Sequence, residues 1–355
     1  MADIYIKLLE INGNSKELCL ATVTATSGST PQKPGSSAIF EKGVLIAGTV
    51  GGGIVEEKAR EASILCSETG KSCLVSFDLD NEISDKKEAI CGGTIEILIN
   101  ANPLIHRSVF GDMMKSVANR ETGILITMVT DFNAGQVLVN RYWMTEKKIP
   151  ELPQEILDEI VPEAMLMISS GEQNKFESVR VSIAGEEPSP VCFLEKISPR
   201  PRLVIAGAGH VGKALSEIGS FAGFEVTVID DRKDYANASN LPFADRIIVK
   251  NIGTAISEIN AGKGTYIVIV TRGHSNDAEA LKPAIRSGAA YVGMIGSRMK
   301  VARMKAEFLK NKWATEEEWA RIHSPVGLEI NSKTVGEIAI SIVAELIQVK
   351  NKDKR

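Results

Sequence analysis

Three glycines, Gly207, Gly209 and Gly212, precede an acidic pair, Asp230 and Asp231, at the spacing that holds a dinucleotide. Gly207 permits a tight turn, Gly209 lets backbone approach a pyrophosphate, and Gly212 lets a helix pack close to its strand. The start of that helix offers free N–H groups and a partial positive charge to an anion. The carboxylates stand where they can accept hydrogen bonds from ribose hydroxyls. The same glycines would serve packing alone in a scaffold that binds nothing.

Further polar residues fall at matching places. His210 lies inside the glycine turn, Arg272 and His274 follow the apolar run YIVIVT, and Ser297 and Arg298 follow AYVGMI and open a helix. Open α/β sheets bind ligands at the carboxyl ends of their parallel strands, so these residues predict a polar crevice. A three-histidine metal site would need His323, in IHSPVG, to fold back beside His210 and His274.

The N-terminal part carries two other glycine sites. In Gly48-Thr49-Val50-Gly51-Gly52-Gly53 the triple glycine ends a strand and opens a helix. Such a turn suits a phosphate, or is simply a corner where no side chain fits. Glu56 complements the first turn of the helix dipole. Cys91-Gly92-Gly93 sets an uncrowded thiol before a strand. Most single cysteines are inert core residues, whereas a thiol on uncluttered backbone is more often reactive or a soft-metal ligand. Cys91 is the one cysteine read as a candidate metal ligand; Cys19, Cys66 and Cys73 sit in apolar or amphipathic patterns and read as core or neutral. Lys33, in the loop GSTPQKPGSS (28–37), either meets an anion or is a solvated surface lysine.

The elements that must position these residues divide at a proline cluster. Pro188, Pro190, Pro199 and Pro201 favour a semi-rigid connector, which predicts domains 1–197 and 198–355. Beyond it, RIIVK, YIVIVT and AYVGMI alternate with helical stretches, the pattern of a parallel sheet with right-handed crossovers. The fold class expected is α/β: a C-terminal Rossmann-type parallel sheet plus an N-terminal mixed α+β domain. In the N-terminal domain LCLATVTAT, SSAIF and GVLIAGTV read as strands, with a hairpin turn at Glu41-Lys42-Gly43, and IVEEKAREASILCSE reads as a helix. The last helix has a capping box at Thr334 and Glu337. Its stripe of Val335, Ile338, Ala339, Ile342, Val343 and Leu346 suits core or a dimer interface.

Composition limits the classes. The 355 residues are 44% hydrophobic and 24% charged, ordinary globular values that suit two domains. A formal charge of −4 gives no case for nucleic acid or an anionic membrane surface. The start MADIYIKLLEINGN lacks signal-peptide character, and no 18-residue apolar run exists to span a membrane. Five scattered cysteines without a CxxC fit a reducing cytoplasm. No Walker A lysine motif, GxSxG elbow or HExxH is present.

Taken in order, several motifs make the chain resemble the xanthine dehydrogenase accessory factor family (XdhC/CoxI type). They are GTVGGGIVEE (48–57), Cys91-Gly92-Gly93, GAGHVG (207–212), Asp230-Asp231-Arg232, VTRGH with Asp277, GMIGSR (293–298) and IHSPVGLEI (322–330). The resemblance implies a cytoplasmic chaperone that binds molybdenum cofactor (molybdopterin), protects its sulfurated form and inserts it into an apo molybdenum hydroxylase of xanthine dehydrogenase type. It also implies a homodimer that contacts a cysteine desulfurase. A glycine turn would hold the phosphate and Cys91 would meet the metal. Two positions depart from the family pattern: Gln32 stands where relatives often have arginine, and Ala89 where they often have methionine.

Two rival functions fit the residues. An NAD(P)-dependent oxidoreductase would use the Rossmann crevice; Asp230 favours NAD, since a carboxylate repels a 2′-phosphate, and Arg232 works against that preference. A nucleotide-sensing regulatory protein would gate partner binding from the same crevice without chemistry.

Overall fold

The computed structural model describes residues 2–11, 17–79, 93–133, 135–170, 175–181 and 188–351. They form two units, Met1–Pro199 and Arg200–Arg355.

The first unit is an antiparallel sheet with helices on its faces. Its strands are β1 (Leu18–Gly28), β2 (Ser37–Glu41), β3 (Val44–Gly48), β4 (Ser72–Asp78), β5 (Gly93–Ala101), β6 (Gly123–Asn133), β7 (Gln136–Thr145), β8 (Phe176–Arg180) and β9 (Val191–Ile197), in spatial order β3-β2-β1-β5-β4-β7-β6-β9-β8. Lys42 and Gly43, both at positive φ, make the two-residue turn that joins β2 to β3 with the twist a hairpin needs. Successive side chains of a strand point to opposite faces, and here both faces are covered. Cys19, Ala21 and Val23 join Ile95, Ile97 and Ile99 under helix α2 (Gly53–Thr69), which buries Val55, Ala59 and Cys66 against them. Leu18, Leu20 and Ile39 face the other way, toward Tyr5 and Leu8 of α1 (Ala2–Glu10) and Phe110 and Met113 of α3 (Arg107–Ala118). Helix α4 (Gln154–Ser169) covers β6 and β9 with Ile156, Ile160 and Met167. The two halves of the sheet meet at β4 and β7, whose register covers two pairs, Ser72 with Val137 and Cys73 with Gln136.

A polar knot lies in this core. Tyr5 donates its hydroxyl to Glu195, and Arg141 donates from Nη1 to Asn100 Oδ1 and from Nε to Thr127 Oγ1 at 3.3 Å. Burial pushes the Glu195 carboxyl up to about 7, because the ionised form has lost its water.

The second unit is a six-stranded parallel sheet: β10 (Arg202–Ala206), β11 (Glu225–Asp230), β12 (Arg246–Val249), β13 (Thr265–Ile269), β14 (Tyr291–Met294) and β15 (Ile322–His323), in order β12-β11-β10-β13-β14-β15. That is the doubly wound order whose reversal, between β10 and β13, opens a ligand crevice at the strands' carboxyl ends. Val204 and Ala206 pack toward α6 (Ile252–Ser257), α7 (Gly273–Ala284), α8 (Arg298–Lys310) and α9 (Glu316–Ala320). Leu203 and Ile205 pack toward α5 (His210–Phe221) and α10 (Val335–Lys350). Thr334 and Glu337 form the capping box expected at the start of α10. Of the α10 stripe, Ala339, Ile342, Val343 and Leu346 are buried among Leu203, Leu215 and Val226, so its centre is core. Among the described residues no helix is long and apolar enough to cross a membrane.

Candidate functional site

Three of the sequence motifs converge at one end of the first sheet. Gly93 pairs with Gly28 where β5 starts and β1 ends, and a Cβ on Gly93 would overlap the Ser27 carbonyl oxygen. The chain therefore enters β5 against the start of loop 28–37. Cys91 and Gly92 lie outside the described residues. The glycine turn meets the same loop: a Cβ on Gly51 would stand 2.7 Å from Pro31 Cγ. Gly52 and Gly53, at φ 67° and 51°, have no other atom within 4 Å of where a Cβ would be. Helix α2 begins there without a side-chain cap, so the backbone at its N-terminus faces open space.

Beside the turn is a cavity of about 320 Å³ lined by Ile4, Gln32, Ser36, Ser37, Gly48 and Thr49 among others. Ser36 donates to Gln32 Oε1 at 2.9 Å, so the residue that departs from the family pattern organises its own loop. Thr49 donates to Glu56 Oε1 at 2.5 Å and accepts from the Gly51 amide at 3.1 Å. Glu56 thus fixes the turn as well as complementing the dipole. Lys33 is exposed.

The second unit brings its predicted residues to the carboxyl ends of β10, β11, β13 and β14. Gly207, at φ 117°, lies so close to the loop after β13 that a Cβ would stand 2.6 Å from the Val270 carbonyl oxygen. A Cβ on Gly212 would overlap the Gly207 carbonyl oxygen, which is how α5 comes down onto the turn. Gly209 has open space at its Cβ position, and α5 has no side-chain cap. His210 and Arg272 are exposed at the same edge.

Several residues differ from expectation. Asp230 is 1% exposed and accepts four hydrogen bonds: from the Ala208 amide (2.8 Å), the Arg232 amide (3.0 Å), and Arg232 Nε and Nη2 (2.9 Å each). Its carboxylate is saturated by the protein and has no lone pair directed to a ribose; Asp231 is the exposed member of the pair. Ser297 caps α8, accepting from the Lys300 amide at 3.3 Å. Arg298 is turned to Glu329 at 3.4 Å. The histidines do not cluster: His274 pairs with Glu307 and His323 with Glu345, each at 2.8 Å. Among the described residues no group of three or more His, Cys, Asp or Glu could hold a metal ion.

Sequence reasoning missed the partners. Lys300 reaches Asp277, which is fully buried and also accepts from Thr271 at 2.5 Å. Glu345 accepts from Tyr291 (2.5 Å) and the Gly327 amide (2.7 Å) as well as holding His323. Asp277 and Lys300 are separated by a strand and a turn, and Glu345 lies off the apolar stripe read on its helix, so no spacing signal joins them.

Residues 14–78 match the model of the XdhC and CoxI family, and residues 203–346 match that of the XdhC Rossmann domain, together more than half of the chain. The chain belongs to the XdhC and CoxI family. The XdhC match of the first unit includes loop 28–37 and the turn Gly51–Gly53, and that of the second spans the whole crevice. The chain is 25% identical to a probable xanthine dehydrogenase subunit of Bacillus subtilis over 99% of both proteins. It is 32% identical to the uncharacterized protein YqeB of Escherichia coli over 59% of its own length, a match that covers 37% of YqeB. A crystal structure described as a xanthine dehydrogenase from Bacillus halodurans superposes with a TM-score of 0.75 at 24% identity, over 98% of this chain and 96% of that one, and shares its fold.

Proposed function

We propose that this XdhC-family chain binds molybdenum cofactor in its first unit and delivers it to a molybdenum hydroxylase of the xanthine dehydrogenase type. The observation that carries this reading is the meeting of loop 28–37, the open turn Gly51–Gly53 and Gly93, next but one to Cys91, at one sheet end. The cofactor joins a phosphate-bearing pterin to a soft molybdenum–sulfur centre, and it supplies redox chemistry to the enzyme that receives it. The residues fit it. Uncapped glycine backbone at the start of α2 suits the phosphate. The cavity, lined by Ile4 and Ala47 as well as Gln32, Ser36, Ser37 and Thr49, suits the flat face of a heterocycle, and the Cys91 thiol is the ligand type a soft metal takes. Protection of a sulfurated cofactor, contact with a cysteine desulfurase and homodimerisation belong to the same proposal, as does a cytoplasmic location.

The rival oxidoreductase reading is weaker because Asp230 is already saturated. Gly209 still offers a phosphate seat, so the crevice suits a nucleotide phosphate better than a ribose diol held by that carboxylate.

The test is the molybdenum and pterin content of protein purified anaerobically from a cofactor-producing host. Near-stoichiometric values of both, falling in Cys91→Ala, are expected. Absence of both, even after incubation with free cofactor, overturns the reading.

A further inference from the structure

Cys66, in the last turn of α2, and Cys73, the second residue of β4, stand with their sulfurs 3.2 Å apart. The first is buried and the second partly exposed. Their backbones are held independently. Cys66 accepts the Gly70 amide at its carbonyl oxygen (2.9 Å), closing the helix, while Cys73 pairs with Ile99 of β5 and Gln136 of β7 at the seam between the two halves of the sheet. The sulfurs are thus brought together by the packing of helix on sheet.

The two thiols are chemically unequal. The hydrogen bond from Cys66 stabilises a Cys73 thiolate and holds that thiol below its usual range. The same hydrogen bond, with burial, pushes Cys66 up. Cys73 is partly exposed and Cys66 is buried, so Cys73 is the sulfur that a small oxidant reaches first and Cys66 is the reserve. The other described cysteines are placed differently. Cys19 donates to the Ser63 carbonyl oxygen at 3.3 Å and is pushed up by burial to about 12, and Cys192 is buried in another part of the core.

We propose that Cys66 and Cys73 form a peroxide-responsive dithiol that closes to a disulfide and pins the corner between α2 and β4. The Cys73 thiolate attacks hydrogen peroxide; an S–O bond forms, the O–O bond breaks, and hydroxide leaves to take a proton as water. Cys66 then gives up its proton and attacks the sulfenic sulfur; the S–S bond forms and the hydroxyl leaves as water. Two thiols and one peroxide become one disulfide and two waters. The pinned helix is the one that opens on the turn Gly51–Gly53, and β4 is the strand that precedes the segment carrying Cys91, so oxidation acts on the framework of the proposed cofactor site.

The experiment treats the reduced full-length chain with a small excess of hydrogen peroxide, alkylates the remaining thiols and maps the linked peptides by mass spectrometry. Two of the five thiols should be lost, with one intramolecular Cys66–Cys73 link that dithiothreitol reverses. In Cys66→Ser, Cys73 should persist as a dimedone-reactive sulfenic acid; in Cys73→Ser, oxidation at position 66 should slow about tenfold or more. A link to another cysteine, or retention of all five thiols in the wild-type chain, overturns the proposal. The wild-type map decides the matter even where a serine variant does not fold. No cofactor enters the readout, so failure here and failure of the carrier reading are separate results.

Discussion

The guanidinium of Arg232 clasps the carboxylate of Asp230, Nε on Oδ1 and Nη2 on Oδ2, each at 2.9 Å. The pair closes over the floor of the glycine turn, because the Ala208 amide donates to the same carboxylate. Arg232 in turn lies over the Tyr235 ring, 3.8 Å from its centroid. Burial works to raise the Asp230 carboxyl, but the hydrogen bonds from Arg232 and the two amides outweigh it and hold the group below its usual range. A residue pattern that reads as ribose recognition is here a structural clasp.

Breaking the clasp should loosen the crevice. Arg232→Ala leaves a buried carboxylate without its cation and should cost about 3 kcal/mol. Because the folded-state pKa of Asp230 is depressed, its contribution is present above the unfolded value of about 3.9 and is lost as pH falls through the folded one. Amide hydrogen exchange in β10 and β11 should therefore accelerate in Arg232→Ala at neutral pH, and Asp230→Asn should weaken the acid dependence seen in the wild-type chain. Unchanged protection in Arg232→Ala would remove the clasp from the account.

Gly209 and Gly212 should separate ligand approach from packing. A Cβ at 212 overlaps the Gly207 carbonyl oxygen, whereas one at 209 meets nothing within 4 Å. Gly212→Ala should thus lower the melting temperature of the second unit by several degrees, a cost of roughly 1–3 kcal/mol. Gly209→Ala should leave melting unchanged and weaken any phosphate-bearing ligand measured by calorimetry. Equal melting losses in both variants would contradict the division of roles.

Glu195 should make the first unit more stable in mild acid than at neutrality. Its folded pKa is raised to about 7, so its stabilising contribution is full below the unfolded value of about 4.3 and is lost as pH rises through 7. Chemical denaturation followed at Trp143 should show stability declining over that window, and Glu195→Gln should flatten the decline. A wild-type profile that rises across the window would count against a neutral Glu195.

Lys300→Ala strips the cation from Asp277, which is fully buried. Leaving that carboxylate with Thr271 alone should cost about 3 kcal/mol. The double variant Lys300→Ala, Asp277→Asn should recover part of it, because no buried charge remains. Denaturation of the wild-type chain, both single variants and the double variant completes the cycle, and a double variant less stable than Lys300→Ala would refute the pairing.

Most strands and the cap of the last helix were legible in the residues because they rest on local physics. Alternating apolar runs form strands, and Thr334 and Glu337 cap a helix. The glycine motifs were legible too, since only glycine fits where another backbone comes as close as Val270 does to Gly207. Tertiary structure decided which polar atoms remain available. Asp230, Ser297 and His274 read as ligand contacts, yet each is engaged by Arg232, Lys300 or Glu307. It also decided that Cys66 and Cys73, unremarkable in sequence, share a corner. Motif spacing records how the backbone runs, but a side chain's hydrogen-bonding capacity is finite, and only the packed fold shows which partners have taken it.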